Sequence, residues 1–314
     1  MATSGSTDYN PSRDDIIKRA LRILGVIEGG ESPSASDSAD AVEALQGLVK
    51  AWMATGFRLW KIKEVTVFLE PSQTEYSLSS TGDHASEETV KTELAADAAA
   101  AATAMTVDSI TGIAASDNIG IVLDDGTTHW TTVSGSPSGT TVTLASGLAS
   151  AASTNTHVYT YTTRAVRPLR LRTARVRNEA NSDTPILTWS RDEYFDTTNK
   201  FETAELPTAA YYDPQLSSGK LHVWLTPTSA SIRLLCDFDM PIEDMDAASN
   251  TADYPQEWTN PLAWLLADEM RFDFGVPADV SAGIHAQAKD KLDLVLGFDT
   301  EAESTYFGVS LDPE

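Results

Sequence analysis

Apolar residues at the two ends of the chain repeat with the spacing of amphipathic helices. Residues 12–24 predict the first of these helices, with Ser12 and Asp15 placed for a capping box and Gly25 for a left-handed C-cap. Its predicted buried face consists of Ile16, Ile17, Ala20, Leu21 and Leu24. A helix is also predicted over residues 37–55. The two helices have matching apolar faces, so we expect them to pack as an antiparallel pair.

The C-terminal region shows the same helical spacing. Residues 257–274 place Trp258, Leu262 and Leu266 on one face, and a further helix is predicted to follow Pro277 and to end at Gly297. These two helices are predicted to form a second pair. We expect the pairs from the two ends of the chain to meet in space.

Between the helical regions, apolar and polar residues alternate as they do in strands. Strands are predicted at 65–69, 75–78, 104–108, 119–123, 128–134, 140–144, 157–162, 166–177, 186–190, 209–212, 221–225 and 232–238, and a short helix at 191–199 capped by Ser190. Ala, Thr, Ser and Gly dominate residues 84–163, and this change in composition indicates a separate small β-barrel or sandwich. Two alternatives remain for this region, a helical linker over residues 95–104 and low-complexity disorder.

The predicted fold class is therefore α+β. Helical pairs from the N- and C-terminal regions accompany an antiparallel β-sheet region, and a small all-β module is inserted into the sheet. In this division, residues 1–82 and 164–297 form the core, residues 83–163 the inserted β module, and residues 298–314 an extended C-terminal tail.

The charge of the chain excludes several classes of partner. Its 22 Lys and Arg residues stand against 46 Asp and Glu residues, a net charge of −24. A general nucleic-acid binder needs a basic surplus, and so does a protein that adsorbs to anionic membranes. No apolar stretch is long enough for a membrane span, so no membrane partner is expected. The single cysteine, Cys236, lies in an apolar run and is predicted to be a buried small residue in a protein of a reducing cytosol.

The sequence offers little catalytic chemistry. The five histidines are scattered, without a His or Cys partner at metal-ligand spacing, so we expect no metal site, no cofactor and no enzymatic activity. Six acids between Asp237 and Asp253 lack the glycine and terminal glutamate of a calcium-binding loop. We interpret this acidic cluster as a solvated loop.

One segment is rich in arginine although the chain as a whole is acidic. Residues 164–177 contain no acid and contain Arg164, Arg167, Arg170, Arg172, Arg175 and Arg177. On an unbulged strand, Arg170 and Arg172 share one face, and Arg175 and Arg177 share the other. These six arginines are candidate contacts with DNA or with an acidic partner. The alternative is that they pair with carboxylates of the chain itself.

The two ends of the chain resemble the head-to-tail adaptor proteins of short-tailed phages, also called tail accessory factors or packaged-DNA stabilisation proteins. The pattern of apolar positions and turns that carries the resemblance lies at 13–26, 50–56, 193–194, 200, 207, 211–213, 221–227, 254–258 and 262–267. The resemblance covers about residues 13–78 and 164–311. The region 84–163 is a departure, because smaller members of the family lack it.

The resemblance implies a structural virion protein at the head–tail junction, assembled in the cytoplasm of the bacterial host. Such adaptors form a ring, typically of twelve copies, that binds the portal protein above and tail nozzle, tail tube or fibre proteins below. Double-stranded DNA passes through the channel with weak non-specific contact, and the ring helps to retain the packaged genome. In this family the C-terminal tail docks on the portal, and the candidate docking residues here are Phe298, Tyr306, Phe307 and Leu311.

Two other classes of function stay open at this point. In a tail-fibre or surface carbohydrate-binding protein, the β module would bind sugar, with Trp130 as the only tryptophan in the module. In a tail-borne cell-wall hydrolase, Asp124 and Asp125 would be the candidate acids.

Overall fold

The structure, a computed structural model, describes Gly5 and residues 9–55 and 59–298. It is mixed, with about 26% helix and 29% strand, so the prediction of a chain that combines both is confirmed. The predicted tail lies outside the described residues except for the backbone of Phe298.

The helices have the following bounds: α1 (Arg13–Leu24), α2 (Ala35–Thr55), α3 (Arg191–Asp196), α4 (Thr259–Met270) and α5 (Ala278–Phe298). Local sequence signals correctly predicted several of the helix ends. Ser12 and Asp15 form the expected capping box of α1, and Gly25 adopts φ 74° as its C-cap. Ser190 and Glu193 form a second capping box at α3, which ends at Asp196 rather than at residue 199.

The strands are β1 (Ile62–Phe68), β2 (Glu75–Leu78), β3 (Ala85–Ser86), β4 (Val90–Glu93), β5 (Ala104–Thr106), β6 (Asn118–Val122), β7 (Thr128–Thr132), β8 (Thr141–Thr143), β9 (His157–Tyr161), β10 (Arg170–Arg177), β11 (Asp183–Thr188), β12 (Thr203–Ala204), β13 (Ala209–Asp213), β14 (Gly219–Trp224), β15 (Thr226–Pro227) and β16 (Arg233–Asp239). The sequence patterns missed the short strands β3, β4, β12 and β15. Residues 95–103 contain no helix, so the helical-linker alternative is wrong.

The chain divides into two compact units, residues 1–60 with 242–314 and residues 61–241. These boundaries differ from the predicted ones, because β1 and β2 belong to the same unit as residues 83–163. We call the first the helical unit and the second the β unit. The division of the β unit into a sheet and an inserted module stays a prediction.

Helix α4 is the central element of the helical unit and packs against α1, α2 and α5. The shared core includes Ile17 and Leu21 of α1, Leu45 of α2, and Leu262 and Leu266 of α4. These apolar positions come from both ends of the sequence, so neither end completes this core alone.

The β unit contains a large, nearly closed sheet of eight strands in the order β2-β14-β13-β11-β10-β16-β1-β3. All of its pairs are antiparallel except the parallel pair of β11 and β13. Cys236 is fully buried in the core of this sheet, and burial raises the pKa of its thiol. Its predicted role as a small buried residue is confirmed.

Residues between β3 and β10 form further sheets in the β unit, one of four strands in the order β4-β9-β6-β7 and one of two strands, β5 and β8. They enclose a core of their own that includes Ile119, Ile121, Val142 and Val158. Gly120 of β6 allows Trp130 to approach, since a Cβ at that position would lie 2.7 Å from the indole ring. The region is therefore folded, and the alternative of low-complexity disorder is wrong.

Candidate functional site

Strand β10 carries the arginines that the sequence marks as candidate contacts. A bulge between Leu171 and Thr173 shifts its register against β16. Buried Leu171, Ala174 and Val176 point into the sheet core. The division of the four strand arginines between two faces was expected only for a strand without a bulge. The bulge removes that condition, and all four arginines lie on the polar face beside β16. We call the polar surface formed by Arg170, Arg172, Arg175, Arg177, Glu64, Asp183, Asp237 and Asp239 the arginine face.

Asp239 pairs with the first two arginines of this face. Its carboxylate accepts hydrogen bonds from Arg170 Nε at 2.8 Å and from Arg172 Nε at 2.5 Å. Asp237 and Asp239 belong to the acidic cluster that the sequence suggested was a solvated loop. That interpretation is wrong for these two residues, since both lie on β16.

The other two arginines share carboxylates from three strands. Arg175 contacts Glu64 of β1 and lies 3.3 Å from carboxylate oxygens of both Asp237 and Asp183. Arg177 donates two hydrogen bonds to Asp183, at 2.6 and 2.7 Å, and this pairing lowers the pKa of Asp183. Each arginine of the face therefore has an acidic partner within the chain.

The two arginines before the strand also have partners in the chain. Arg164 donates to the carbonyl of Gly82 at 2.9 Å and to the hydroxyl of Tyr161 at 3.3 Å. Arg167 donates to the carbonyl of Gln215 at 3.4 Å. The role of the six arginines as contacts with DNA or a partner remains a prediction, and the paired state lowers the positive charge that they offer.

Removing the acids should expose the charge of the arginine face. We expect the double substitution Asp237→Asn/Asp239→Asn to give measurable binding to a duplex at low salt. The slope of log K against log salt should grow in magnitude by about 1–2, because one or two further phosphates are neutralised. Fluorescence anisotropy with a labelled duplex over a salt series measures both the affinity and its dependence on salt.

The matched control is Asp290→Asn/Asp293→Asn, which changes the net charge equally at exposed positions of α5. Equal binding by the two double variants would show that net charge alone, and not the arginine face, determines affinity.

A second cluster joins the four-stranded sheet to the polar face of the large sheet. Phe68 of β1 contacts the rings of Trp130, Tyr159 and Tyr161, with centroid distances of 4.9, 5.1 and 5.9 Å. His84 stacks on Trp130 at 3.8 Å. We call these five residues the joint cluster. One face of Trp130 is covered by His84, and its Nε1 donates to Glu70, so this tryptophan is built into the joint rather than presented as a platform for sugar.

The joint cluster makes stability depend on pH through His84. Burial is the main reason that the pKa of His84 falls to about 4, with nearby Arg164 contributing. Histidine in the unfolded chain has a pKa near 6.5. Between about pH 6.5 and 4, the unfolded chain therefore binds a proton at His84 and the folded chain does not. We expect the contribution of His84 to the free energy of unfolding to be fully present above about pH 6.5 and to be lost as the pH decreases towards 4.

The substitution His84→Phe keeps a ring on Trp130 and removes this titration. Urea midpoints at pH 7.5 and 5.0 should differ less in the variant than in the wild type. His157 and His222, whose pKa values burial also lowers, contribute to the remaining pH dependence in both proteins, and so does Glu70, whose pKa burial raises. An identical pH dependence in wild type and variant would contradict the assignment to His84.

The candidate catalytic acids Asp124 and Asp125 lie at turns. Asp124 accepts a hydrogen bond from the amide of Ser153 at 2.8 Å. Asp125 accepts from the amide and hydroxyl of Thr127, which lowers its pKa and makes it a poor general acid. Within the described residues, no group of three or more His, Cys, Asp or Glu side chains could hold a metal ion.

Sequence reasoning missed an aromatic surface beside α3. Tyr194 of α3 stacks on Tyr211 at 5.6 Å, and Tyr211 stacks on His222 at 5.5 Å. Phe195, half exposed, lies next to this stack, and the guanidinium of Arg191 sits 5.0 Å from the Phe195 ring. The available signal was the adjacent pair Tyr211 and Tyr212 of β13 with the alternate positions His222 and Trp224 of β14, but aromatic residues are equally typical of a buried strand.

No protein-family description matches the chain, and a comparison with curated proteins finds no similar one. Among the residues that the structure describes, no helix combines the length and apolar character that crossing a bilayer requires.

Proposed function

We propose that this protein is a structural virion protein without enzymatic activity, a head-to-tail adaptor of a short-tailed phage. Copies close into a ring, typically of twelve, between the portal protein and the nozzle, tube or fibre proteins of the tail. The ring is assembled in the cytoplasm of the bacterial host, continues the DNA channel and helps to retain packaged DNA. The resemblance of the two chain ends to this family is the starting point.

The observation that carries the proposal is the neutralised arginine face on a chain of net charge −24. A channel protein has to let DNA slide and must not hold it. Carboxylates that pair with the arginines leave this face without net positive charge, and the acidic remainder of the chain repels phosphate. Only weak, salt-sensitive contact with the duplex then remains, as passage requires.

Features of the fold support the ring proposal. In our proposal, the helices of the two ends act as paired elements of the ring body, and residues 83–163 are an inserted module that projects from each protomer. The separate core of that region supports this description. A ring requires heterologous contacts, in which one face of a protomer meets the opposite face of the next. Exposed apolar side chains of the helical unit suit such contacts, among them Phe272, Val280 and Leu294.

The test mixes the full chain with its cognate portal protein and measures the mass of the complex and of each component. A closed ring of copies on the portal is expected, with smaller species in the protein alone. Removal of residues 298–314 should abolish portal binding and leave the circular dichroism spectrum unchanged, because this segment carries the proposed docking residues.

A second variant separates ring closure from docking. Leu294 is 75% exposed, so Leu294→Glu should leave the fold intact and prevent closure of the ring. Lys289→Glu, at another exposed position of α5, is the control. A single copy bound to the portal, or no binding by the wild type, would overturn the adaptor proposal.

A further inference from the structure

A groove of about 650 Å³ lies along α1 in the helical unit. Residues that line it include Tyr9, Lys18, Arg19, Arg22, Ile23 and Thr259. Three cations therefore meet several apolar side chains at one surface, in a protein that is strongly acidic as a whole. We call this surface the α1 groove.

The cations of the α1 groove differ from those of the arginine face in their partners. Arg19 donates to the neutral side chain of Asn260, at 2.9 Å. The one acid that lines the groove, Asp15, accepts hydrogen bonds from the backbone and hydroxyl of Ser12 in the capping box, and its charge also interacts with that of Lys18. No ion pair of Lys18, Arg19 or Arg22 is found across residues 9–55 and 59–298. The positive charge of the groove is thus available to an acidic ligand.

We propose that the α1 groove binds the acidic C-terminal segment of the same chain, residues 299–314. This segment contains five acids, Asp299, Glu301, Glu303, Asp312 and Glu314, and no basic residue. It also carries Tyr306, Phe307 and Leu311, which suit the apolar lining that Tyr9 and Ile23 provide. Opposite charge selects the segment, and apolar contact adds affinity.

The attachment of the segment favours binding within one chain. Helix α5 ends at Phe298 in the helical unit, the unit that contains the groove. Sixteen extended residues span up to about 50 Å. A unit of this size has a radius of gyration of roughly 14 Å. The segment can therefore reach any point on the unit, and its short tether gives an effective concentration of about millimolar.

The test uses the full chain with the photo-reactive substitution Tyr306→p-benzoylphenylalanine, irradiated at low micromolar concentration without any partner. Peptide mapping should find cross-links in monomeric product between position 306 and residues 9–23 or 259–263. The charge reversal Arg19→Glu/Arg22→Glu should reduce their yield about fivefold or more, because two attractive contacts become repulsive. Raising the salt to about 1 M should reduce the yield as well.

The matched control is Lys63→Glu/Lys289→Glu, which makes the same charge change at exposed positions that do not line the groove and should leave the yield unchanged. Cross-links only to other surfaces, or equal losses in the two charge-reversed proteins, would overturn the proposal. Cross-links only in dimeric product would assign the groove to a second copy and overturn binding within one chain. The measurement contains no portal protein, so its outcome is independent of the adaptor function.

Discussion

Replacing Trp258 with alanine should lower the free energy of unfolding of the helical unit by about 3–5 kcal/mol, the cost expected for emptying a large buried aromatic site. Only 2% of Trp258 is exposed. Its ring contacts Trp52 at 5.4 Å and Trp60 at 5.1 Å, and Tyr254 lies 6.2 Å away. These rings come from both ends of the chain, so the loss should affect the whole unit.

Native-state hydrogen exchange of the amides in α4 measures this loss within the unit, which a global transition would average over two units. The matched control is Phe272→Ala, since Phe272 is 73% exposed. The control removes only its contact with Arg271 and should cost less than about 1 kcal/mol. Similar losses in the two variants would contradict a core role for Trp258.

The second large effect is expected at the joint cluster. The substitution Phe68→Ala should destabilise the β unit by about 3–5 kcal/mol, because Phe68 is buried among three aromatic rings contributed by β7 and β9. Exchange of amides in β1 and in β6 and β9 should accelerate together, since the cluster links the strands of both sheets.

Phe201→Ala, at a side chain that is 75% exposed, is the control and should change stability by less than about 0.5 kcal/mol. If Phe68→Ala accelerates exchange only in β1, the four-stranded sheet does not depend on the joint cluster for its stability.

The helix ends show what local sequence can predict. The capping boxes of α1 and α3 join residues three positions apart, and Gly25 closes α1 through its own backbone conformation. Such interactions form within one turn and need no distant partner, so the sequence determines them. The short strands β12 and β15 have only two residues each, and no period can be detected in so few positions.

The candidate site shows what local sequence cannot predict. The arginines were visible in the sequence, and acids at alternate positions, Asp237 and Asp239, end the apolar run of β16. The pairing of these arginines with these acids was not visible in the sequence. Arg175 and Asp237 are 62 positions apart and meet only through the register of β10 against β16. The bulge after Leu171 then decides which arginines share a face.

By itself, the sequence determined the helical ends of the chain, their caps, the burial of Cys236 and the net charge of −24, because periodicity, short-range hydrogen bonds and ionisable groups are local properties. Only the tertiary structure decided how that charge is distributed. Strand register pairs the arginines of β10 with carboxylates, whereas helix packing leaves Arg19 and Arg22 of the α1 groove without an ion pair among the described residues. Pairing of charges depends on distances of a few ångströms between residues far apart in the chain, and those distances exist only in the fold.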